Sequence, residues 1–180
     1  SITAYGVALD MDDFTGTVGG NISGTSDLAD LEKQAAMITE WFPEAKKVAL
    51  LFCSAEPNSR YQIEEVAKYL ADAGIETEEY AFTDTNDVAS VAQAACDYAD
   101  VIYIPTDNTA ASNTEAIATL SISYYDLGKT TGQMAAKILT GEADISTMPI
   151  EYTNATPKYN PTICEALSIT PLDGYTAIED

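Results

Sequence analysis

Two short segments of this chain carry side chains suited to binding a small charged molecule, and each follows an apolar run. Residues 54–59 come after Val48–Cys53, and residues 106–109 come after Val101–Pro105. The polar residues in question are Ser54, Glu56, Asn58 and Ser59, and Thr106, Asp107 and Asn108. Glu56 can accept hydrogen bonds from an ammonium group, whereas Ser54, Asn58, Ser59 and backbone N–H groups can bind a carboxylate. These residue types predict recognition of a zwitterion; the competing interpretation is a pair of ordinary capped turns.

The elements around these segments predict where they lie. The apolar runs are typical of parallel strands covered on both faces. The spacing of apolar residues predicts helices over 28–42, 61–73 and 86–95, and strands over 48–53, 76–82 and 101–105. Such alternation predicts a parallel sheet with right-handed crossovers. Ligands of open parallel sheets bind at the carboxyl ends of the strands. We therefore expect the two polar segments to emerge side by side and to face one cavity.

A third polar segment precedes the first predicted helix. Thr25, Ser26 and Asp27 place two hydroxyls and a carboxylate at a helix amino end, where anions are favoured. Simple N-capping, with Asp27 as the capping residue, is the alternative. The two interpretations are compatible, because side chains can cap the helix while backbone groups face a ligand.

The later part of the chain predicts less regular structure. We expect a helix over 110–117, a short strand over 119–122 and a last helix over 161–167, for which Asn160 and Pro161 are a good start. Ser123 and Asp126 have the spacing of a capping box that starts a helix ending at Leu139, with Gly141 closing it. Tyr124 and Tyr125 fit a core, a hinge or a pocket wall equally well.

Composition excludes several classes of function. The 180 residues include 29 acidic and 8 basic side chains, for a formal net charge of -21, which disfavours nucleic acids and anionic membrane surfaces as partners. There is no histidine, so Ser-His-Asp and Cys-His catalysis is ruled out, and we predict no enzyme. No cofactor or metal site is predicted. The acidic residues Asp10, Asp12 and Asp13 lack the pattern of an EF-hand and are interpreted as a solvated loop.

The three cysteines are far apart and form no CxxC pair, so no disulfide framework is expected. Cys53 and Cys96 lie in apolar runs and are interpreted as small buried side chains.

Four motifs in this order make the chain recognisable. They are NISGTSD at 21–27, SAEPNS at 54–59, YIPTDNT at 103–109 and SYYDLG at 123–128. The chain resembles the substrate-binding proteins of an ABC transporter family associated with aromatic amino acids, tryptophan and tyrosine among them. The resemblance implies a type I periplasmic-binding-protein fold, with a three-layer α/β/α lobe and a mainly parallel sheet. It also implies an amino-acid ligand, a membrane permease as partner, and an extracytoplasmic, lipid-anchored protein at the outer face of a bacterial membrane.

Two departures from the family pattern shape the expected domain organisation. The resemblance implies a first lobe ahead of Ser1 and a further strand between Ile117 and Ala118, neither of which is present. We therefore expect residues 1–117 to form a ligand-binding lobe that corresponds to the family's second lobe. Residues 118–180 are then a hinge-crossing strand, a helix and a C-terminal segment. A surface left by a missing lobe would favour a homodimer.

Two other functions fit parts of the pattern. A lobe without its counterpart could act only as a structural or interaction module. A flavodoxin-like regulatory domain would show similar alternation of helices and strands, but it would need a phosphate-binding or phosphoacceptor loop, and no such loop is convincing here.

Overall fold

The computed structural model describes residues 1–178. The helices are α1 (Tyr5–Ala8), α2 (Leu31–Trp41), α3 (Pro57–Asp72), α4 (Val88–Tyr98), α5 (Asn108–Ala111), α6 (Tyr124–Leu139) and α7 (Pro161–Ala166). The strands are β1 (Thr25–Ser26), β2 (Lys47–Cys53), β3 (Glu76–Phe82), β4 (Val101–Tyr103), β5 (Ala118–Ser121), β6 (Glu151–Tyr152), β7 (Thr156–Tyr159) and β8 (Thr176–Ala177). None of the helices in this range is both long enough and apolar enough to span a bilayer.

The chain forms two compact units, and each is built from separate stretches of sequence. Unit 1 contains Ser1–Ala29 and Leu120–Thr156, and unit 2 contains Asp30–Thr119 and the segment that starts at Pro157. This division differs from the expected one at 117/118, because the head of the chain joins the later segment. The backbone explains the difference: β1 pairs in parallel with β6, so that Thr25 lies opposite Glu151.

The main sheet of unit 2 has the strand order β3-β2-β4, with all neighbours parallel. Strand β2 is central, and every residue from Val48 to Cys53 is buried, which explains the unbroken apolar run. Strand β3 lies at the edge, where its charged residues remain in water. The parallel sheet and the edge position of β3 are therefore confirmed.

Helices cover both faces of this sheet. On one face Leu51 and Cys53 pack with Phe82, with Val88 of α4 and with Ala110 of α5. Because side chains alternate along a strand, Val48, Leu50 and Phe52 face the other side. The fully buried residues Ile63, Val66 and Leu70 of α3 supply the apolar stripe for that side, and Arg60 of α3 lies 4.8 Å over the Phe52 ring. The expected three-layer α/β/α arrangement is confirmed.

A second sheet has the order β5-β7-β8. Strand β8 belongs to unit 2, where an aromatic cluster joins it to α2. The rings of Trp41 and Tyr175 meet edge to face at 5.1 Å, and Tyr159 lies 6.5 Å from Trp41. The Tyr175 hydroxyl also donates to Glu40 Oε2 at 3.2 Å. The C-terminal segment is thereby attached to the amino-terminal helix of its unit.

Three helix boundaries differ from the prediction. Helix α2 is capped by Asp30, whose Oδ1 accepts from Lys33 N at 3.1 Å, so the expectation of a cap at Asp27 is wrong. Helix α3 begins at Pro57 instead of Tyr61, since proline has no N–H to lose and suits a first helical position. Helix α4 follows Asp87, not Asn86, and Asp87 makes no side-chain cap hydrogen bond.

The predicted helix over 110–117 is wrong, because α5 ends at Ala111. Two side chains take over the carbonyl groups that the next turn would have used. Asn113 Nδ2 donates to Thr109 O at 2.7 Å, and Thr114 Oγ1 donates to Ala110 O at 2.8 Å. Such side-chain bonds compete with helix propagation.

The caps of the later helices are confirmed. Ser123 Oγ accepts from Asp126 N at 3.2 Å at the start of α6. Gly141 has a φ of +76°, the left-handed conformation typical of a residue just beyond a helix. Asn160 Oδ1 accepts from Ile163 N at 3.2 Å ahead of α7.

The cysteine prediction is half right. Cys53 and Cys164 are buried, whereas Cys96 is exposed, and all three are free thiols. On α4 the neighbouring Ala95 faces the sheet and Cys96 faces solvent, so its apolar surroundings in the sequence were misleading.

Candidate functional site

The two polar loops of unit 2 lie side by side, as expected. The side chain of Asn58 donates from Nδ2 to Thr106 O at 3.0 Å. Ser59 donates from Oγ to Asp107 Oδ2 at 2.9 Å. These bonds join the first turn of α3, which follows β2, to the loop after β4, and the two strands are direct neighbours in the sheet. The geometry thus brings together at one rim the residues that the sequence analysis singled out in these two segments.

Asp107 holds this rim together from inside. Its side chain is 1% exposed. Oδ2 accepts from Cys53 N at 2.7 Å as well as from Ser59, and Oδ1 accepts from Ala110 N at 2.8 Å as the cap of α5. These short hydrogen bonds satisfy both oxygens of the buried side chain. Asp107 and Ser59 therefore form the frame of the rim, and their polar atoms are already used.

Gln62 is a second frame residue, and the sequence analysis missed it. It is 0% exposed. Its Oε1 accepts from Thr106 N at 3.0 Å, while its Nε2 donates to Asn58 O at 3.1 Å and to Thr106 O at 3.2 Å. The available signal was its position, since Gln62 lies four residues before Val66 and eight before Leu70, on the buried stripe of α3. A glutamine on such a stripe needs buried partners.

Glu56 makes a further link between the loops. Its Oε1 accepts from Thr109 N at 3.2 Å and from Thr109 Oγ1 at 3.0 Å, and its Oε2 accepts from Asn108 N at 3.3 Å. Although the residue is half-buried, the carboxylate is turned to the first turn of α5. Both oxygens that were expected to receive an ammonium group are thus engaged.

The amino end of α3 has no side-chain cap. Glu56 occupies the capping position without a capping hydrogen bond, and the first turn contains no acidic residue. The helix is 16 residues long, and the partial positive charge at such an end favours a bound anion. Ser54 and Asn108 are exposed beside this helix end, and Asn58 is half-buried.

The third predicted segment belongs to unit 1. Thr25 and Ser26 are buried, with 0% and 1% exposure. Thr25 Oγ1 shares a 2.8 Å hydrogen bond with Thr131 Oγ1. Ser26 Oγ donates to Thr3 O at 2.7 Å and accepts from Leu28 N at 3.1 Å. Their hydroxyls therefore stabilise the unit itself.

Asp27 differs from these two neighbours. Its Oδ2 accepts from the Tyr124 hydroxyl at 3.2 Å. Its Oδ1 is enclosed and has no hydrogen-bond partner within the part of the chain that the structure describes. Partial burial and the charge of Asp27 raise the pKa of Tyr124. Tyr124 and Tyr125 are 65% and 81% exposed, so the core interpretation of these two tyrosines is wrong.

Metal chemistry finds no support in the described residues. Between residues 1 and 178 there is no group of three or more histidine, cysteine or carboxylate side chains arranged to hold a metal ion.

Comparison with known proteins finds relatives whose descriptions name the amino acid that they bind. The tyrosine-binding protein of Clostridioides difficile strain R20291 is 26% identical over 149 residues, which cover 69% of this chain and 43% of the relative. The chain thus matches less than half of that relative's length. In a solved structure, an ABC domain from Streptococcus pneumonia in complex with L-Trp is 27% identical, with a TM-score of 0.83 over 99% of this chain and 72% of that one.

A second solved structure is the ligand-free, open form of a substrate-binding protein with adhesive properties from Clostridium difficile. It is 26% identical, with a TM-score of 0.76 over 99% of this chain and 69% of that one. The profile described as "ABC transporter substrate binding protein" matches residues 6–118, which is more than half of the chain. This chain therefore belongs to the ABC transporter substrate-binding proteins, a family that binds solutes and does not catalyse reactions.

Proposed function

We propose that this protein binds an amino acid with an aromatic or apolar side chain and serves as the solute-binding component of an ABC importer. Proteins of this family bind small-molecule ligands and work with ABC permeases. The tyrosine of one relative and the L-Trp of another support the aromatic ligand class.

The observation that carries the proposal is the joined pair of loops in unit 2. Asp107 and Gln62 hold the two segments together through buried hydrogen bonds. We assign the ligand-facing role to the polar atoms left at the surface, which are the side-chain amide of Asn108, Oδ1 of Asn58, and Ser54 Oγ as an acceptor, since that hydroxyl already donates to Phe82 O at 3.1 Å. The uncapped amino end of α3 is the place for the ligand's carboxylate. Ser59, Thr106 and Asp107 then act as the frame that orients these groups.

Membership of the family supports a proposal for the location and the partner. Its members are typically extracytoplasmic. We extend this to the present chain and propose that it works at the outer face of a bacterial membrane, held there by a lipid anchor, where it delivers its ligand to a permease.

Calorimetric titration with L-tryptophan, L-tyrosine and L-phenylalanine tests the proposal, with L-glutamate and L-lysine as controls for side-chain class. We expect heat with at least one aromatic amino acid and none with the charged pair. Asn108→Ala should weaken binding about threefold to tenfold, the effect of about one lost hydrogen bond. The matched control is Asn21→Ala, another exposed asparagine, which should bind like the unaltered protein. Absence of heat with all three aromatic amino acids would remove the aromatic assignment.

One feature favours an interaction module as a second candidate. Helix α6 exposes Tyr125 at 81% and Leu139 at 87%. Large apolar side chains exposed on one helix are candidates for a contact surface, and we propose a second copy of this chain as the partner that covers them. Light scattering over a range of concentrations distinguishes the candidates: an interaction module of this kind forms a dimer and gives no heat with amino acids.

A further inference from the structure

We propose that the outer edge of strand β3 is a docking site for a basic, extended segment of a partner protein, which joins the sheet of unit 2 as a further strand. Docking at this edge does not depend on which solute the polar rim binds.

Half of the backbone groups of β3 have no strand to pair with. The one neighbour of β3 in the sheet is β2. Glu76 N donates to Lys46 O at 2.9 Å, and Phe82 O accepts from Ser54 N at 2.9 Å, so the even-numbered residues direct their backbone groups towards β2. The residues that alternate with them direct their N–H and C=O groups away from the sheet, where these groups have no hydrogen-bond partner within residues 1–178. These outward residues are Thr77, Glu79 and Ala81.

This edge is long enough and open enough to hold a strand. All seven residues of β3 pair with β2 in an unbroken register, so the edge contains no bulge. Glu79 and Ala81 are exposed and Thr77 is half-buried, so solvent reaches the outward groups. The opposite edge of the sheet, at β4, is only three residues long. An unpaired edge accepts an added strand through main-chain hydrogen bonds.

Charge decides which strand can occupy the edge. Glu76 and Glu78 are exposed on the face of β3 that α4 covers, and neither forms an ion pair within the described residues. Glu79, on the other face, is paired with Arg60 at 2.9 Å. A second copy of this chain, with its net charge of -21, would place glutamates opposite glutamates, which destabilises a strand pair. A basic segment places cations there instead.

Two tyrosines extend the acidic face with rings that attract cations. Tyr80 follows Glu78 on the same face, and its ring centroid lies 5.9 Å from that of Tyr98 on α4. Lys47 Nζ lies 4.7 Å from the centroid of the Tyr98 ring, and the Tyr98 hydroxyl donates to Glu76 Oε1 at 3.0 Å. Rings and carboxylates in this arrangement favour ammonium and guanidinium groups. Because one face of a strand shows every second residue, the matching segment has lysine or arginine at alternate positions, with β-branched residues between them.

The hexapeptide RTRVKT, blocked at both ends, has this pattern and serves as the probe. It is titrated into the unaltered protein labelled with ¹⁵N, and amide hydrogen exchange is followed by NMR. In the free protein the outward amides of Thr77, Glu79 and Ala81 should exchange fast, whereas those of Glu78 and Tyr80 are protected by β2. At a peptide concentration about tenfold above the Kd, the outward amides should exchange about tenfold more slowly, because only unbound protein exchanges. No binding at millimolar peptide, or protection confined to other amides, would overturn the proposal.

Two N-methylated peptides separate strand addition from attraction by charge alone. One is methylated at the amides of the basic residues of RTRVKT and the other at the amides between them, so both retain its charge. A strand directs alternate amides to opposite sides, so one of the two peptides loses the donors that face β3. That peptide should bind about tenfold more weakly than the other, or worse. Equal binding of both would refute pairing at the strand edge.

A double variant tests the acidic face. Glu76→Gln with Glu78→Gln should weaken RTRVKT about threefold to tenfold, the effect of two lost exposed ion pairs. The matched control is Glu115→Gln with Glu165→Gln, two exposed glutamates elsewhere in unit 2, which should change the affinity less than about twofold. Equal weakening by the two double variants would show that the peptide responds only to net charge and would overturn the assignment. The peptide series in the unaltered protein decides the question if a variant fails to fold.

Discussion

Replacement of Asp107 by asparagine should weaken unit 2 far more than the loss of one surface charge would. The carboxylate receives three hydrogen bonds, from Cys53 N at 2.7 Å, Ser59 Oγ at 2.9 Å and Ala110 N at 2.8 Å, and it is 1% exposed. An amide has a single acceptor oxygen, so in either orientation its NH₂ group must face a backbone N–H. At least one buried donor is left unsatisfied, and the remaining bonds lose their ionic character. Together these effects cost about 2–4 kcal/mol.

Urea denaturation followed by tryptophan fluorescence measures the unfolding of unit 2, which contains Asp107. Trp41 is the single tryptophan of the chain and lies in unit 2. With a urea dependence of about 2 kcal/mol per molar, the expected free-energy loss lowers the midpoint by about 1–2 M. Such a loss is a large part of the roughly 5–15 kcal/mol that stabilises a typical domain.

Asp30→Asn is the matched control, because it makes the same chemical change at another helix cap. Asp30 is exposed and accepts from Lys33 N at 3.1 Å. Asparagine caps a helix about as well as aspartate, and the exposed ion pair with Lys33 contributes little, so the change should stay below about 0.5 kcal/mol. Equal midpoint shifts for the two variants would refute the role of Asp107 as the buried frame of the rim.

Three further results are expected. Hydrogen bonds from the two backbone N–H groups at the start of β2 lower the pKa of Asp100. Its contribution is therefore complete above its unfolded value of about 3.9 and is lost as the pH falls through the lower folded value. The stability difference between the unaltered protein and Asp100→Asn, measured in urea, should shrink between pH 6 and pH 3; a constant difference would contradict this. Gly24→Ala places a Cβ 2.7 Å from the Tyr5 hydroxyl oxygen. It should lower the free energy of unfolding of unit 1 by about 1–3 kcal/mol and alter the near-ultraviolet circular dichroism of Tyr5; an unchanged spectrum and stability would argue against the contact. A thiol reagent should label Cys96 in the native protein and the two buried cysteines only after denaturation, which mass spectrometry can follow; labelling of all three in the native state would contradict their burial.

The alternating helices and strands could be predicted from sequence because the signals that form them are local. Val48–Cys53 is apolar throughout since it is the central strand, and the caps at Ser123 and Asn160 follow from residue type alone. The pairing of Thr25 with Glu151 could not be predicted in this way, because both strands are two residues long and distant in sequence. The division into units depends on that pairing.

The sequence predicted which residue types form the candidate site. It did not predict the role of each residue in that site. Ser, Asp, Glu and Asn at strand ends indicated a polar rim, and the rim is present. Whether a given carboxylate faces the ligand or the protein depends on donors supplied by other elements, such as Ala110 N for Asp107 and Thr109 N for Glu56. Those donors come from α5, whose length was predicted wrongly. Likewise, the hydrogen bond that Asp27 Oδ2 accepts comes from Tyr124, which is distant from it in sequence.

Each of the two units is built from an early and a late stretch of sequence. This arrangement determines the order in which parts of the fold can form during synthesis. The sheet of β2, β3 and β4 needs only residues that emerge close together, so it can form early. Thr25 must wait for Glu151 to leave the ribosome before its strand has a partner. At about 5–20 residues per second, the head of the chain stays unpaired for roughly 6–25 s. That interval is when the nascent protein is most open to proteolysis and to wrong pairing of its short exposed strand.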